Sequence, residues 1–507
     1  MQQHIEIMDT TLRDGEQTNG VSFLPHEKLH IAKQLLRAVH VDRVEVASAR
    51  VSEGEHKAVS KICQWAANHD FLHRVEVLGF VDGHTSIDWI HSCGGRVINL
   101  LCKGSRKHCT HQLKKTLDQH VADIIAEVQY ADSLGMTVNV YLEDWTNGMR
   151  EDKQYVFDLV DALQDTSIRR YMLPDTLGVL NPQDAAIMMA EMRERYPALH
   201  FDFHAHNDYD LAIANVFVAI QSGFNGIHTA VNGLGERAGN APLSSVQAVL
   251  KDHFHYDTRI DEHELCPTSK LVESYSGIAM APNSPITGDN VFTQVAGVHA
   301  DGDNKNNLYC NALLPQRFGR QREYALGKTS GKANILKNLE AFDLQLTPEE
   351  TRLVTERIIA LGDRKQVVTR EDLPYIVSDV LQHNQPRQRV RLLSYVVTTA
   401  FGLRPTASFR IEIDNEIYEM NASGDGQYDA FMNGLQELYN QRLGRQLPQL
   451  VGYNVTIPPG GRTAAFVQTT ITWQTADGRN FRTHGFDADQ TEAALMATIK
   501  MLNSLED

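Results

Sequence analysis

HFDFHAHNDYD, residues 200–210, begins as a strand and ends as a candidate site. Apolar and polar residues alternate through it, and in a strand residues two apart share a face. His204 and His206 therefore aim at one point, followed at once by Asn207 and Asp208. Two neutral imidazoles converging on a point suit a metal ion, although a pair of core or surface histidines gives the same local pattern. Seven more strand candidates precede or follow this one: IEIMDTTL from Ile5, DRVEVAS from Asp42, HRVEVLGF from His73, RVINLLC from Arg96, TVNVYLED from Thr137, RRYMLPDT from Arg169 and GIHTAVNG from Gly226. Amphipathic segments such as HEKLHIAKQLLRAV and QDAAIMMAEMRERY lie between them. Strands alternating with helices imply parallel pairing through crossovers, and eight such units predict an α/β fold, a closed (β/α)8 TIM barrel. An open doubly wound sheet is the alternative, but no GxGxxG follows the first strand.

In such a barrel the site forms at the C-terminal strand ends. Arg13 and Asp14 follow the first strand, Leu78 closes the third, Leu101 the fourth, Tyr141 and Glu143 the fifth, and Thr176 the sixth. Asn240 and Glu236 lie in the loop after the eighth, GLGERAGNAPL. Asp14 offers a third ligand beside the two histidines. Two imidazoles and a carboxylate, with an Asn240 oxygen, suit Mn2+, Mg2+ or Zn2+.

Composition narrows the function. The chain has 507 residues, 42% of them hydrophobic, and a formal charge of −16, which argues against nucleic acid and anionic membranes as partners. Six cysteines without paired metal-type spacing fit reduced thiols. With no signal peptide and no membrane-length apolar run, a cytoplasmic protein is expected. The expected domains are a catalytic barrel over 1–265, a helical linker with lid residues over 266–386 and a C-terminal α+β domain over 387–507. The linker holds TQVAGVHADGDNKNNLYCNALLP, a polar loop with His299, Asp301 and Tyr309 that reads as a lid or as a plain surface connection. Gly327-Lys328-Thr329 resembles the end of a P-loop, but the glycine required five positions earlier is Arg322. KGSRKH, from Lys103, reads as a solvated loop, or as a site for an anionic tail such as a CoA phosphate. The last domain repeats itself: TASFRIEI around Phe409 matches TAAFVQTT around Phe466, each followed by a strand and a helix. Its Gly-rich turns suit a small-ligand site or a dimerisation module.

DTTLRDGEQ (9–17), HAHNDYDLAIAN (204–215) and GLGERAGNAPL (233–243) resemble the signatures of the 2-isopropylmalate, homocitrate and citramalate synthases. The resemblance extends to GVHADGD and the C-terminal repeat, and YLEDW, DGDNKNNLY and GDGQYDAFMN are most similar to the citramalate branch. It implies a metal-dependent condensation of acetyl-CoA with pyruvate in a homodimer. It assigns Asp14, His204, His206 and Asn240 to the metal, Thr176 to the pyruvate carboxylate, and Glu143 with His299, Asp301 and Tyr309 to acetyl-CoA activation. Asp301 as a turn former and Tyr309 as lid packing are the ordinary alternatives. Arg13 would face the alkoxide. Leu78, Leu101 and Tyr141 would wall the keto-acid pocket; the isopropylmalate branch resembles His and Ser at the latter two positions. The larger 2-oxoisovalerate, with leucine feedback, is the second reading. Isoleucine is the implied effector, at positions Tyr428, Asp429, Leu450, Tyr453, Ile457 and Val467, which otherwise are core or interface residues. A non-catalytic amino-acid-binding regulator on a dead barrel is a third reading, opposed by intact Arg13, Asp14, His204 and His206.

Overall fold

The structure is a computed structural model describing residues 4–296, 299, 302, 308–340, 346–363, 368, 370–381, 389–456, 467–487 and 489–506. It divides into two compact units, residues 1–292 with 311–321, and residues 293–310 with 322–507.

The first unit is a closed parallel barrel of β1 (Glu6–Asp9), β2 (Arg43–Ser48), β3 (Val75–Phe80), β4 (Val97–Lys103), β5 (Thr137–Glu143), β6 (Arg170–Asp175), β7 (Phe201–Ala205) and β8 (Gly226–Thr229). Closure comes from β8 returning to β1, with Glu6 opposite Gly226 and Asp9 opposite Thr229. One residue parity on each strand is aliphatic or aromatic and packs under the helices: Val44 and Val46, Val75 and Val77, Val138 and Val140, Phe201 and Phe203. Polar side chains set helix starts. Ser52 Oγ accepts from the Glu55 amide to cap Glu53–Ala67, and Asn181 caps Pro182–Arg195, whose first turn carries proline. Arg317 pairs with Asp252 at 2.8 Å and Glu262 at 2.7 Å, fastening residues 311–321 to the barrel.

The opposite parity fills the lumen and is largely charged. Arg43 reaches Glu6, Glu76 and Asp202 at 3.0, 3.1 and 2.6 Å, and Arg170 reaches Glu6 at 2.9 Å. Glu45, Asn99 and Asn139 continue the network by hydrogen bonds of 2.8 and 2.9 Å. Above it sits a small apolar layer of Met8, Leu78, Tyr141 and Met172, with Leu101 against it.

In the second unit β9 (Thr293–Gln294) pairs in parallel with β10 (Glu323–Tyr324). Helices Lys332–Glu340, Pro348–Asp363 and Leu373–Leu381 share a core with Leu339, Val354 and Ile358. Two βββα repeats follow. β11 (Val390–Thr398), β12 (Thr406–Ile413) and β13 (Glu416–Ser423) form one antiparallel sheet before helix Gln427–Glu437. β14 (Gln449–Thr456), β15 (Val467–Gln474) and β16 (Asn480–Asp487) form the other before helix Gln490–Glu506. The expected i, i+4, i+7 faces are buried: Phe431, Leu435 and Leu438 on the first helix, and Leu495 and Leu502 on the second, with Ile499 partly buried against them. Phe466 lies outside the described residues. Among the described residues no helix is long and apolar enough to cross a membrane.

Candidate active site

The site is assembled at the C-terminal ends of β1 and β7 and on the loop after β8. Residues 10–14 turn tightly, with the Asp14 amide donating to the Thr10 carbonyl at 2.9 Å. A fully buried lysine clamps this turn. Lys28 Nζ donates to the carbonyls of Leu12 (3.0 Å) and Val46 (3.2 Å) and pairs with Glu16 and Glu55, each at 2.6 Å. Arg13 and Asp14 are thereby fixed at the lumen.

Asp14, His204 and His206 are all buried, and one ligand atom from each lies within 4.8 Å of the others. His204 Nε2 is 3.4 Å from Asp14 Oδ2 and 3.4 Å from His206 Nε2, so two ring nitrogens face each other beside one carboxylate. An antiparallel bridge between His206 and Asn240 joins the β7 end to the loop after β8. Asn240 Nδ2 donates to Asp14 Oδ1 at 3.1 Å and to the Leu234 carbonyl at 2.9 Å. Asn240 Oδ1 is buried with no hydrogen-bond partner among the described residues. An orphaned amide oxygen beside a carboxylate and two imidazoles is a donor set that fits a divalent cation.

Electrostatics support the ligand states. Burial alone would raise the Asp14 carboxyl, but the Arg13 guanidinium, with both histidines, outweighs it and holds the group well below the usual carboxylate range. Burial, then the neighbouring His204, pushes His206 down to about 4. Neutral imidazoles next to an ionised carboxylate are the protonation states that bind metal.

Arg13 uses three faces of its guanidinium. Nε donates to Glu45 Oε2 at 2.6 Å, Nη1 to Asp14 Oδ2 at 2.8 Å and Nη2 to Tyr141 Oη at 3.2 Å. Tyr141 thus joins the Arg13–Asp14 group to the apolar layer of Leu78 and Leu101. Thr176, half-buried past the end of β6, accepts the Asp144 amide on Oγ1 at 2.9 Å, so its hydroxyl proton is free for another partner. Glu143 ends β5 and is ion-paired with Lys103 at the end of β4.

Lys103 is a correction. It is not part of a solvated loop but a buried strand residue, opposite Glu143 in the β4–β5 register. Sequence reasoning also passed over Glu45, Asp202 and His228. Their signal was available: charged or imidazole residues inside strands that parallel pairing buries on both faces.

The remaining candidates lie in the second unit. His299 and Tyr309 lie ring to ring, tilted by 33°, with centroids 4.3 Å apart, whereas Asp301 lies outside the described residues. Tyr428 and Tyr453 come together at 5.5 Å, and Tyr428 Oη bonds Thr498 Oγ1 at 2.6 Å. Asp429 Oδ2 accepts the Asp425 amide at 2.8 Å, holding the turn before its helix. Leu450 and Tyr453 are exposed on β14, and Val467 opens β15. Ile457 lies outside the described residues.

The family model described as HMGL-like matches residues 4–272, more than half of the chain. Homocitrate synthase post-HMGL domain-like matches 286–366, and the LeuA allosteric (dimerisation) domain matches 367–506. A putative (R)-citramalate synthase CimA of Methanopyrus kandleri is 32% identical over 464 residues, 91% of this chain and 88% of its own length. The (R)-citramalate synthase CimA of Methanocaldococcus jannaschii is 31% identical over 503 residues, 99% of each chain. A probable 2-isopropylmalate synthase of Methanopyrus kandleri is 32% identical over 507 residues, 100% of this chain and 99% of its own. With these matches spanning barrel, linker and C-terminal repeats, the chain belongs to the HMGL-like family and, within it, to the citramalate and 2-isopropylmalate synthases.

Proposed function

We propose that this protein is a citramalate synthase: acetyl-CoA, pyruvate and water give (R)-citramalate, free CoA and a proton, under isoleucine feedback. An acetyl-CoA-dependent condensation onto a 2-oxo acid is the family's reaction; pyruvate and isoleucine are the finer assignments. Asp14, His204, His206 and Asn240 would hold a divalent cation (Mn2+, Mg2+ or Zn2+), which when bound supplies Lewis-acid polarisation of the 2-oxo group. The Thr176 hydroxyl donates a hydrogen bond to the pyruvate carboxylate. A base takes a methyl proton from the acetyl thioester, and the carbanion adds to the ketone carbon. Arg13 faces the alkoxide oxygen that results. Glu143, held by Lys103, and His299 are the two candidates for the base, with Asp301 and Tyr309 on the same lid segment. Water then cleaves the thioester.

The observation that carries pyruvate is the apolar layer of Leu78, Leu101 and Tyr141 backed by Met8 and Met172. A methyl group fits beside such walls. An isopropyl group must displace them, at about 1–3 kcal/mol, or roughly 5- to 150-fold in specificity. Leu78, Leu101 and Tyr141 themselves offer no cationic partner for a second carboxylate, and Arg13 beside them is already engaged by Glu45 and Asp14, which disfavours homocitrate chemistry. The test is thiol release from acetyl-CoA with a panel of 2-oxo acids. Pyruvate is expected to exceed 2-oxoisovalerate by at least about fivefold in kcat/KM. Preference for 2-oxoisovalerate overturns the assignment in favour of 2-isopropylmalate synthase, the second reading, which a full-length relative of equal identity supports. Activity with none would favour a regulator. The LeuA-domain match supports a homodimer and an amino-acid effector near Tyr428, Asp429 and Tyr453. Isoleucine is expected to inhibit and leucine not; the reverse refutes the effector assignment. A cytoplasmic location completes the proposal.

A further inference from the structure

Arg237 stands in GLGERAGNAPL, the loop after β8, with its backbone in the left-handed region at φ 55°. That conformation is uncommon for a residue other than glycine and persists where contacts hold it. Here the guanidinium joins three loops at the barrel mouth. Nε donates to Asp208 Oδ1 at 2.8 Å and Nη2 to Asp208 Oδ2 at 3.0 Å, a two-bond fork onto the loop after β7. Nη2 also donates to the Thr176 carbonyl at 2.9 Å, just past the end of β6. Nη1 lies 3.3 Å from Glu236 Oε2. The loops after β6 and β7 are pressed together at the same place: a Cβ on Gly178, whose φ is +60°, would stand 2.3 Å from Asp208 Oδ2.

The metal ligands on these loops are secured without Arg237. The Asn207 amide donates to the Gly239 carbonyl at 2.9 Å, the Ala241 amide to the Ala205 carbonyl at 3.2 Å and the Asn240 amide to the Gly233 carbonyl at 3.0 Å. Backbone bonds alone therefore fix the His206–Asn240 bridge. Thr176 is held differently. Its side-chain oxygen accepts the Asp144 amide, from past the end of β5, and its carbonyl accepts Arg237, from past the end of β8. Arg237 and Asp208 are both partly exposed, and ion pairs in that setting add little to folding stability. The consequence of the clasp is where Thr176 stands, rather than whether the barrel folds.

We propose that Arg237, oriented by Asp208, is a positioning residue for the 2-oxo acid: it fixes the Thr176 backbone and so the point at which the Thr176 hydroxyl meets the substrate carboxylate. The link to substrate rests on the synthase reading; the seat of Thr176 does not. In the thiol-release assay with Mn2+-loaded enzyme, R237Q is expected to raise KM for pyruvate about tenfold, with KM for acetyl-CoA and Mn2+ affinity within about twofold of the parent. R237K keeps the charge but lacks the planar fork that spans Asp208 and Thr176, and is expected to behave like R237Q. D208N is expected to raise the same KM about threefold, with the double variant no worse than R237Q alone. A rise in KM for acetyl-CoA instead, parental behaviour in R237K, losses that multiply, or Mn2+ affinity falling in step with pyruvate each overturns the proposal. Hydrogen exchange of the Mn2+-loaded protein without substrate reads the seat of Thr176 independently of turnover. The amides of Gly178, Val179 and Leu180 donate to Asp175 beside Thr176. R237Q should speed exchange across residues 176–180 at least about threefold and leave 201–207 unchanged. Parental exchange across 176–180 overturns the proposal whatever the enzyme turns over. A parent protein active on no 2-oxo acid refutes the synthase reading, while the exchange result still decides what Arg237 holds.

Discussion

Glu45→Gln removes one charge from the centre of the lumen while keeping the side chain's shape. Glu45 Oε2 accepts Arg13 Nε at 2.6 Å and Thr10 Oγ1 at 2.9 Å, and Oε1 accepts Asn99 Nδ2 at 2.8 Å. A glutamine must place its amide nitrogen against one of these donors. The structure offers a way out. Asn99 Oδ1 accepts Asn139 Nδ2 at 2.9 Å, and Asn139 Oδ1 has no partner among the described residues. If both asparagine amides rotate, the introduced amide donates to Asn99 and Asn99 to Asn139, leaving one orphan donor where one orphan acceptor stood. The lasting loss is then the charge opposite Arg13. Turning that bond from charge-assisted to neutral removes about 1–2 kcal/mol. The barrel transition should fall by roughly 2–6 °C. Thiol release should fall about 5- to 30-fold, since Arg13 is held less firmly. Glu45→Ala strands Arg13, Thr10 and Asn99 together and should cost about 3–5 kcal/mol. Calorimetry and the thiol assay on both variants check the order. A Glu45→Gln protein within about 1 °C and twofold of the parent would refute the claim that this carboxylate seats Arg13.

Chelation should abolish CoA release by more than about 100-fold and Mn2+ restore it, with His206→Ala losing Mn2+ binding by calorimetry. A Cβ at Gly235 would overlap Asn240 Nδ2, so Gly235→Ala should weaken Mn2+ binding at least about tenfold with little change in melting. Acid should loosen the β4 end. Burial, then Lys115, pushes His120 down to about 4 from 6.5, and its Nε2 accepts the Lys103 amide at 3.0 Å. The unfolded chain therefore binds more protons between pH 6.5 and 4, and stability present above 6.5 is lost as pH falls through that window. The full shift is worth roughly 3 kcal/mol; His120→Gln should flatten the acid limb of a melting-temperature profile, and an unchanged limb counts against it.

The barrel was legible because eight short apolar runs alternate with amphipathic helical segments, and the metal candidates because His204 and His206 sit on one face of one strand. Arg13 and Asp14 stood out as a charged pair directly past a strand end. What local pattern could not reveal is which lumen side chains meet. That depends on strand tilt and stagger around the whole barrel. Glu45 reads as one polar residue in DRVEVAS, and only closure brings it to Arg13, Tyr141 and Asn99 from three other places in the chain. Lys103 looked like the start of a basic loop because its neighbours Arg106 and Lys107 are; the strand runs one residue further than its apolar run suggests. The lid residues were read from a loop whose Asp301 lies outside the described residues, while His299 and Tyr309 belong to the second unit.

The thin apolar layer over the charged lumen has an evolutionary corollary. Leu78 and Leu101 contribute only bulk to it, so their exchange alters the room left for a substrate tail without disturbing any proton or charge. Tyr141 belongs to the same wall but is bonded to Arg13 and His228. Lineages that drift toward longer oxo acids from this ancestor should therefore change the two leucines first and the tyrosine last, and a laboratory selection on 2-oxobutanoate would recover substitutions in that order.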